Sequence, residues 1–295
     1  MNHSSLEIFI VVAEELSVIK AAQRLGRVQS NVTTRIQQLE EELDVQLFIR
    51  ENRRLRLSPQ GKKFLTYSKR ILSLAEEARQ SLHPGIPEGL LKLGSMESTV
   101  ASRLSEPLTA FNLSCPAVTL RLCTGPTQQL TEKVVNSELD AALVALPSDV
   151  NGKVQCPDSL EYHPLFNEKL LLILPPTMKS VQKIEDINEG QLATFIKGCT
   201  YREMATGLLG QMTGRGEKIQ IQEVNSYHSM LACVASGSSM CVLPESVMML
   251  LQLPAGLHIF PAGMVTTQLI WRKDFSSPAM DILLEKLQNT SNISA

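Results

Sequence analysis

The chain has 295 residues, 43% of them hydrophobic, which is enough for two or more domains with sizeable cores. Its net charge of -2 is uneven: residues 1–85 carry 13 Lys plus Arg against 10 Asp plus Glu, and the remainder 15 against 20, so attraction to nucleic acid belongs to the N-terminal part. Met1 to Ile10 has no basic start, Glu14 and Glu15 interrupt the apolar stretch after it, and the longest apolar run, near Leu170 to Pro176, is too short to span a bilayer, so a cytoplasmic protein with no membrane partner is expected.

Ser4 to Glu15 reads as a first helix with Leu6, Phe9, Ile10 and Ala13 on its inner face. Val18 to Leu43 reads as a helix-turn-helix. Ser17 can cap its first short helix, Ala21, Ala22 and Leu25 recur at helical spacing, and Gly26 permits the turn. The second helix, from about Gln29, turns Val32, Ile36, Leu39 and Leu43 inward and Gln29, Ser30, Asn31, Thr34 and Arg35 outward. Gln and Asn can bond an adenine edge bidentately, Arg can fork onto guanine and hydroxyls can hold phosphate, so this helix suits a major groove of double-stranded operator DNA. The same residues would also serve as an ordinary solvated helix face. The stretch LFIRENRRLRLSPQG comes next, with Arg50, Arg53, Arg54 and Arg56 in an expected two-stranded wing suited to a phosphate backbone.

Ser58-Pro59 opens a long helix running to about Leu82, a rod of roughly 36 Å. Phe64, Ile71 and Ala78 repeat every seven residues, with Tyr67 and Leu74 beside them. That stripe predicts pairing with the same helix of a second subunit, in a homodimer or homotetramer, against the plainer alternative of packing on the chain's own domains. Residues 84–89 form a hinge rich in Pro and Gly. Beyond it strands and helices alternate: Leu90–Gly94, helix Val100–Phe111, Val118–Thr124, helix Thr127–Asn136, Ala141–Leu146 and Lys169–Leu174, and then a second unit of Leu192–Ile196, a helix from Tyr201, Lys218–Val224, a helix from Ser226 and Met240–Leu243. Val265–Trp271 returns as a strand and Pro278–Leu287 closes as a helix. The fold class is α/β, with parallel sheets covered on both faces in two lobes joined by crossings near Leu165–Leu174 and Ala262–Leu269.

The segments AAQRLGRVQSNVTTRIQQLEEELDVQLFIR and RLSPQG, in that order and spacing, resemble the DNA-binding end of LysR-type transcriptional regulators. The resemblance implies a winged helix-turn-helix over 1–58, a dimerisation helix over 59–83, the hinge, and a periplasmic-binding-protein-like effector domain over 90–295, with lobe I about 90–165 and 266–295 and lobe II about 166–265. It implies recognition-helix contacts from Gln29, Ser30, Thr33, Thr34 and Arg35 and a wing contact from Arg53. It further implies that effector closes the lobes, changes operator bending and alters contact with RNA polymerase. Asp44 stands where the family usually has Gly, and Thr34 where Arg is frequent, with Arg35 next to it. The stretches GCTYREM and SYHSMLACVASGSSMCVLP are also similar to regulators of putrescine or related amine catabolism.

In an open α/β sheet the ligand sits beyond the carboxyl ends of the strands. Ser98, Thr99, Thr124, Thr127, Thr200, Tyr201, Arg202, Tyr227 and His228 stand there at helix starts, next to Ser226. Free N–H groups and the positive dipole ends of helices favour an anion, so a small carboxylate-bearing effector is expected; helix capping by Ser and Thr is the alternative reading of the hydroxyls. No GxSxG, P-loop, GxGxxG after a strand or HExxH occurs, and Ser98, His228 and Asp140 have neither a nucleophile elbow nor an oxyanion hole, so no enzyme, catalytic residue or cofactor is expected. The six cysteines include no CxxC pair and no His at zinc spacing, so no metal is expected. Two other readings stay open: a constitutive architectural DNA binder without effector, and a redox sensor using Cys199 with Cys233.

Overall fold

The computed structural model describes residues 1–51, 54–82, 87–149, 152–213 and 219–291, so Arg53 and hinge positions 84–86 lie outside the described residues. Two compact units emerge, Met1–Gly85 with Asn136–Glu138 and Ile86–Val135 with Leu139–Ala295.

The first unit runs α1 (His3–Glu15), α2 (Val18–Arg24), α3 (Gln29–Leu43), the antiparallel pair β1 (Phe48–Glu51) and β2 (Arg54–Leu57), and α4 (Pro59–Ser81). Asn2 and Ser17 start α1 and α2 by accepting from the Ser5 and Lys20 N–H groups. The apolar positions that recur at helical spacing meet in one core around Phe9, Val12, Ala21, Val32, Ile36, Leu39 and Leu47. Gly26 ends α2 at φ 63°, with the Arg27 N–H reaching the Ala22 carbonyl at 2.9 Å. Asp44 does the same work for α3: at φ 51° and ψ 38° it takes the left-handed conformation itself, and the Val45 N–H returns to the Glu40 carbonyl at 3.2 Å. Asp is among the few non-glycine residues that tolerate this region, so the departure from Gly leaves the turn intact.

The RLSPQG motif is a joint between wing and long helix. Ser58 Oγ donates to the Gln46 carbonyl at 2.6 Å and accepts from the Gly61 N–H at 2.8 Å, and the Ser58 N–H donates to the Leu47 carbonyl at 2.9 Å. From the other side one oxygen of Glu40 accepts from the Leu47 and Phe48 N–H groups at 2.7 and 3.0 Å. Gly61 lies so close to the Leu47 carbonyl that a Cβ there would have no room.

The second unit holds an eight-stranded sheet in the order β4-β3-β5-β10-β6-β9-β7-β8. Its elements are β3 (Gly89–Ser95), α5 (Glu97–Arg103), α6 (Ser105–Ser114), β4 (Val118–Thr124), α7 (Thr127–Val135), β5 (Ala141–Val144), β6 (Leu160–Leu174), β7 (Gly190–Thr194), α8 (Thr200–Thr213), β8 (Ile219–Glu223), α9 (Tyr227–Ala235), β9 (Met240–Pro244), α10 (Glu245–Met248), β10 (His258–Arg272) and α11 (Pro278–Ser291). Each lobe has three parallel strands, β4-β3-β5 in one and β8-β7-β9 in the other. Strand alternation sends successive side chains to opposite faces: Ala141 and Leu143 pack with Leu93, Phe111 and Leu283, whereas Ala142 and Val144 pack with Leu130, Val134 and Leu172.

Two expectations need correction. The helix over Val100–Phe111 is two helices broken at Leu104, because Pro107 has no N–H to give and its ring crowds the carbonyl four residues back. The two crossings are also longer than expected: β6 and β10 span 15 residues each and pair antiparallel along their whole length. Each strand continues through a proline, Pro164 in β6 and Pro261 in β10. Each Pro sits beside an extra residue, Leu165 or Ala262, where the register shifts, and a bulge is where a sheet accepts Pro.

Candidate functional site

In the first unit, Gln29, Ser30, Asn31, Thr34 and Arg35 are all exposed on α3. Thr33 is half-buried, and its hydroxyl donates to the Gln29 carbonyl at 3.0 Å, which turns it toward its own helix. Gln29 shares a groove of about 590 Å³ with Arg50 and Arg54 of the wing and with Ser17 to Ile19 at the start of α2. Arg56 pairs with Glu51 at 2.9 Å and Arg24 with Glu14 at 2.9 Å, but Arg50 and Arg54 have no acidic partner among the described residues. The groove thus places two uncommitted guanidinium groups beside the opening turn of α3, an arrangement able to hold an anionic backbone next to a base-reading helix.

On α4 the apolar stripe divides. Phe64 packs on Phe9, ring centroids 5.0 Å apart, so it is spent on the chain's own core rather than on a stripe free for a partner. Tyr67, Ile71 and Leu74 remain 49%, 39% and 62% exposed, with Ala78 exposed on the next turn.

In the second unit the two lobes enclose a cavity of about 160 Å³ at the carboxyl ends of their parallel strands. From one lobe the starts of α5 and α7 reach it and from the other the starts of α8 and α9, since each helix follows directly on a strand. Ser98, Thr124, Thr127, Tyr201 and Tyr227 line it as expected by position. Tyr201 OH lies 3.4 Å from Ser98 Oγ across the lobes, and Tyr227 lines the cavity with them. Burial pushes both phenols upward, so they stand as neutral donors. The Phe195 ring meets Tyr227 edge-on at 5.0 Å and completes an apolar wall with Met96, Ile196 and Val224.

Four expected contacts lie elsewhere. Thr200 is buried and donates to the Ala145 carbonyl at 2.6 Å, a bond between the lobes. Thr99 is buried without lining the cavity. Arg202 donates to the Phe195 carbonyl at 3.1 Å and pairs with Glu223 at 2.6 Å, so its charge is used in tying strand ends together. His228 is exposed and outside the lining. The helix starts that are the reason for expecting an anion do reach the cavity, but among the described residues no Lys, Arg or His lines it, and the one charged side chain that does is Glu97. Neighbouring residues missed in the sequence, Met96, Glu97 and Asn225, adjoin predicted ones, so following the chain one step from each helix start would have found them.

All six cysteines are free thiols. Cys199 lines the cavity and Cys233 packs in a separate cluster on another part of the sheet, and burial pushes the Cys199 thiol up, which is the opposite of an activated thiolate. The redox alternative gains nothing from this. Among the described residues no group of three or more His, Cys, Asp or Glu is placed to hold a metal, and no helix is long and apolar enough to cross a membrane.

Residues 3–62 match the bacterial regulatory helix-turn-helix protein family of lysR type, and residues 84–291 match the LysR substrate binding domain. The HTH-type transcriptional regulator GltR of Bacillus subtilis is 32% identical over 295 residues, covering 98% of this chain and 97% of that one. CzcR of the same organism, also an HTH-type transcriptional regulator, is 33% identical over 303 residues, covering 100% and 99%. Among solved structures, a full-length OxyR variant from Pseudomonas aeruginosa superposes with a TM-score of 0.71 at 23% identity over 99% of this chain and 97% of its own. Full-length CbnR complexed with its target DNA gives 0.68 at 22% identity over 98% and 100%. At that identity the structures speak to the fold.

Proposed function

The chain belongs to the LysR family of DNA-binding transcriptional regulators, with an effector-binding domain, and on that premise we propose how its residues divide the work. The opening turn of α3 enters a major groove, with Gln29, Ser30, Asn31, Thr34 and Arg35 toward the bases and Arg50, Arg53 and Arg54 on the phosphate backbone. Tyr67, Ile71, Leu74 and Ala78 pair α4 with the same helix of a second copy, so that two recognition helices meet the two halves of an operator. The interlobe cavity takes a small-molecule effector. The effector acts by differential affinity for the lobes' open and closed arrangements, and RNA polymerase is the downstream partner. The domain limits are 1–58 for the winged domain, 59–83 for the pairing helix, 84–89 for the hinge and 90–295 for the effector domain. The chain is a regulator without an enzymatic reaction of its own, and it acts in the cytoplasm.

The observation that carries this reading is the groove shared by Gln29, Arg50 and Arg54, with neither arginine in an ion pair among the described residues. Binding isotherms on an operator fragment and on random DNA test the division of roles. Gln29→Ala should cost about 1–3 kcal/mol on the operator and little on random DNA. Arg54→Ala should weaken both alike and lower the salt dependence by about one counterion. Equal losses on both DNAs for Gln29→Ala would remove Gln29 from base readout.

A further inference from the structure

We propose that the interlobe cavity selects a small ligand carrying a protonated amine on an apolar body, with the Glu97 carboxylate as its charge partner. The proposal rests on the cavity being the effector site and adds the ligand's charge. Among the described residues every other side chain lining the cavity is neutral. Glu97 opens α5, is half-buried, and takes no hydrogen bond or ion pair within the chain among the described residues. Arg202, the one cation in the neighbouring helix start that could have offset it, is committed to Glu223 and the Phe195 carbonyl. Across the lobes only His228, exposed and outside the lining, opposes the charge of Glu97.

The start of α5 and the exposed His228 offset the Glu97 charge only in part, and a carboxylate withdrawn partly from water without a hydrogen-bonded counter-charge has two ways to meet the remaining desolvation cost: protonation, or a cation brought by a ligand. Burial pushes the Glu97 carboxyl up, as expected for a group that waits for a counter-charge. The same carboxylate repels an anion at short range in a low-dielectric cleft. The rest of the cavity suits an apolar body, with Met96, Phe195, Ile196 and Val224 as walls and the Ser98, Tyr201 and Tyr227 hydroxyls at one side. An apolar cavity of about 150 Å³ is known to hold benzene, so the volume here fits a body of about six carbon atoms.

Benzylamine, benzyl alcohol and benzoate share that body and differ in charge. Calorimetric titration of the full-length protein with each, at matched pH and ionic strength, reads the preference directly. Benzylamine is expected to bind about tenfold tighter than benzyl alcohol, with benzoate weakest, because a charge-assisted hydrogen bond replaces a neutral one. Glu97→Gln should level amine and alcohol, and Glu97→Asp should keep the order. Preference for benzoate, equal binding of amine and alcohol, or an unchanged order in folded Glu97→Gln protein would each overturn the proposal. The wild-type ranking decides the matter if the Gln variant does not fold. Failure of all three probes at millimolar concentration would overturn it too and count against the cavity as an effector site, whereas preference for benzoate would reject only the amine.

Discussion

Gly61→Ala puts the joint between wing and long helix to a quantitative test. The added Cβ would lie 2.0 Å from the Leu47 carbonyl oxygen and 2.9 Å from its carbon, whereas ordinary contact begins at 3.4 Å. Something must therefore move by more than about 1 Å, and the near atoms are backbone rather than a flexible side chain. The oxygen that has to retreat accepts the Ser58 N–H at 2.9 Å, and the same residue's N–H is held by Glu40 at 2.7 Å. Overpacking costs about 1–3 kcal/mol and a broken buried hydrogen bond about 1 kcal/mol more, for a sum of about 3 kcal/mol. The two units need not unfold together, so a single melting temperature is the wrong readout. Hydrogen exchange of the Leu47 and Phe48 amides in the full-length protein reports the joint itself, and about 3 kcal/mol appears as a roughly hundredfold loss of protection. Ser58→Ala, which strands the Gly61 N–H and the Gln46 carbonyl, should lose about 2 kcal/mol at the same amides. Protection within about threefold of wild type in Gly61→Ala would show that the joint is not packed as tightly as its contacts indicate, since no relaxation of a packed backbone is that cheap.

Breaking the pair between half-buried Arg103 and buried Glu168, 2.8 Å apart and further tied to Ser246 at 2.6 Å, by Glu168→Leu should cost about 2–3 kcal/mol of effector-domain stability in denaturant titration. The double change Arg103→Met with Glu168→Leu should recover most of that loss, and no recovery would show that Arg103 is not what Glu168 neutralises. The Glu97 carboxyl, raised by burial above its ordinary 4.5, binds its proton more tightly in the folded state, so wild-type stability falls as pH rises through that raised value. Glu97→Gln should accordingly be more stable than wild type at neutral pH, with the gap closing as pH falls through the raised value toward 4.5; a pH-independent gap would contradict the assignment. Leu74→Glu, at a side chain 62% exposed on α4, should convert the oligomer to monomer in sedimentation velocity, and an unchanged oligomer would move the subunit contact elsewhere.

Much of this architecture can be read from residue order because local rules and tertiary packing agree there. Ser17, Gly26 and the Val32–Ile36–Leu39 spacing each act within one helix or turn, so α2 and α3 fall where expected. The long strands were less legible, since Pro164 and Pro261 locally signal a break and only the pairing of β6 with β10 turns each into a bulge. Phe64 shows the same limit on α4: its seven-residue spacing is real, yet Phe9 claims it from a distant part of the chain. At the cavity, hydroxyls at helix starts identify the right ends of the right strands, but which hydroxyl faces in depends on helix phase. Thr200 turns to the Ala145 carbonyl while Tyr201 beside it turns to Ser98. Charge was the hardest to read, because Arg202 looks available until Glu223, 21 residues on, is folded against it.

If α3 reads base edges, the chain prefers one DNA sequence over others. Fluorescence anisotropy of the full-length protein with the intergenic DNA upstream of its own gene, against random DNA of equal length at the same salt concentration, measures that preference. A preference of about a hundredfold or more for the upstream fragment is the predicted result. Equal affinity for the two DNAs would contradict the premise, leaving Arg50 and Arg54 as non-specific phosphate contacts and α3 as a helix that reads nothing.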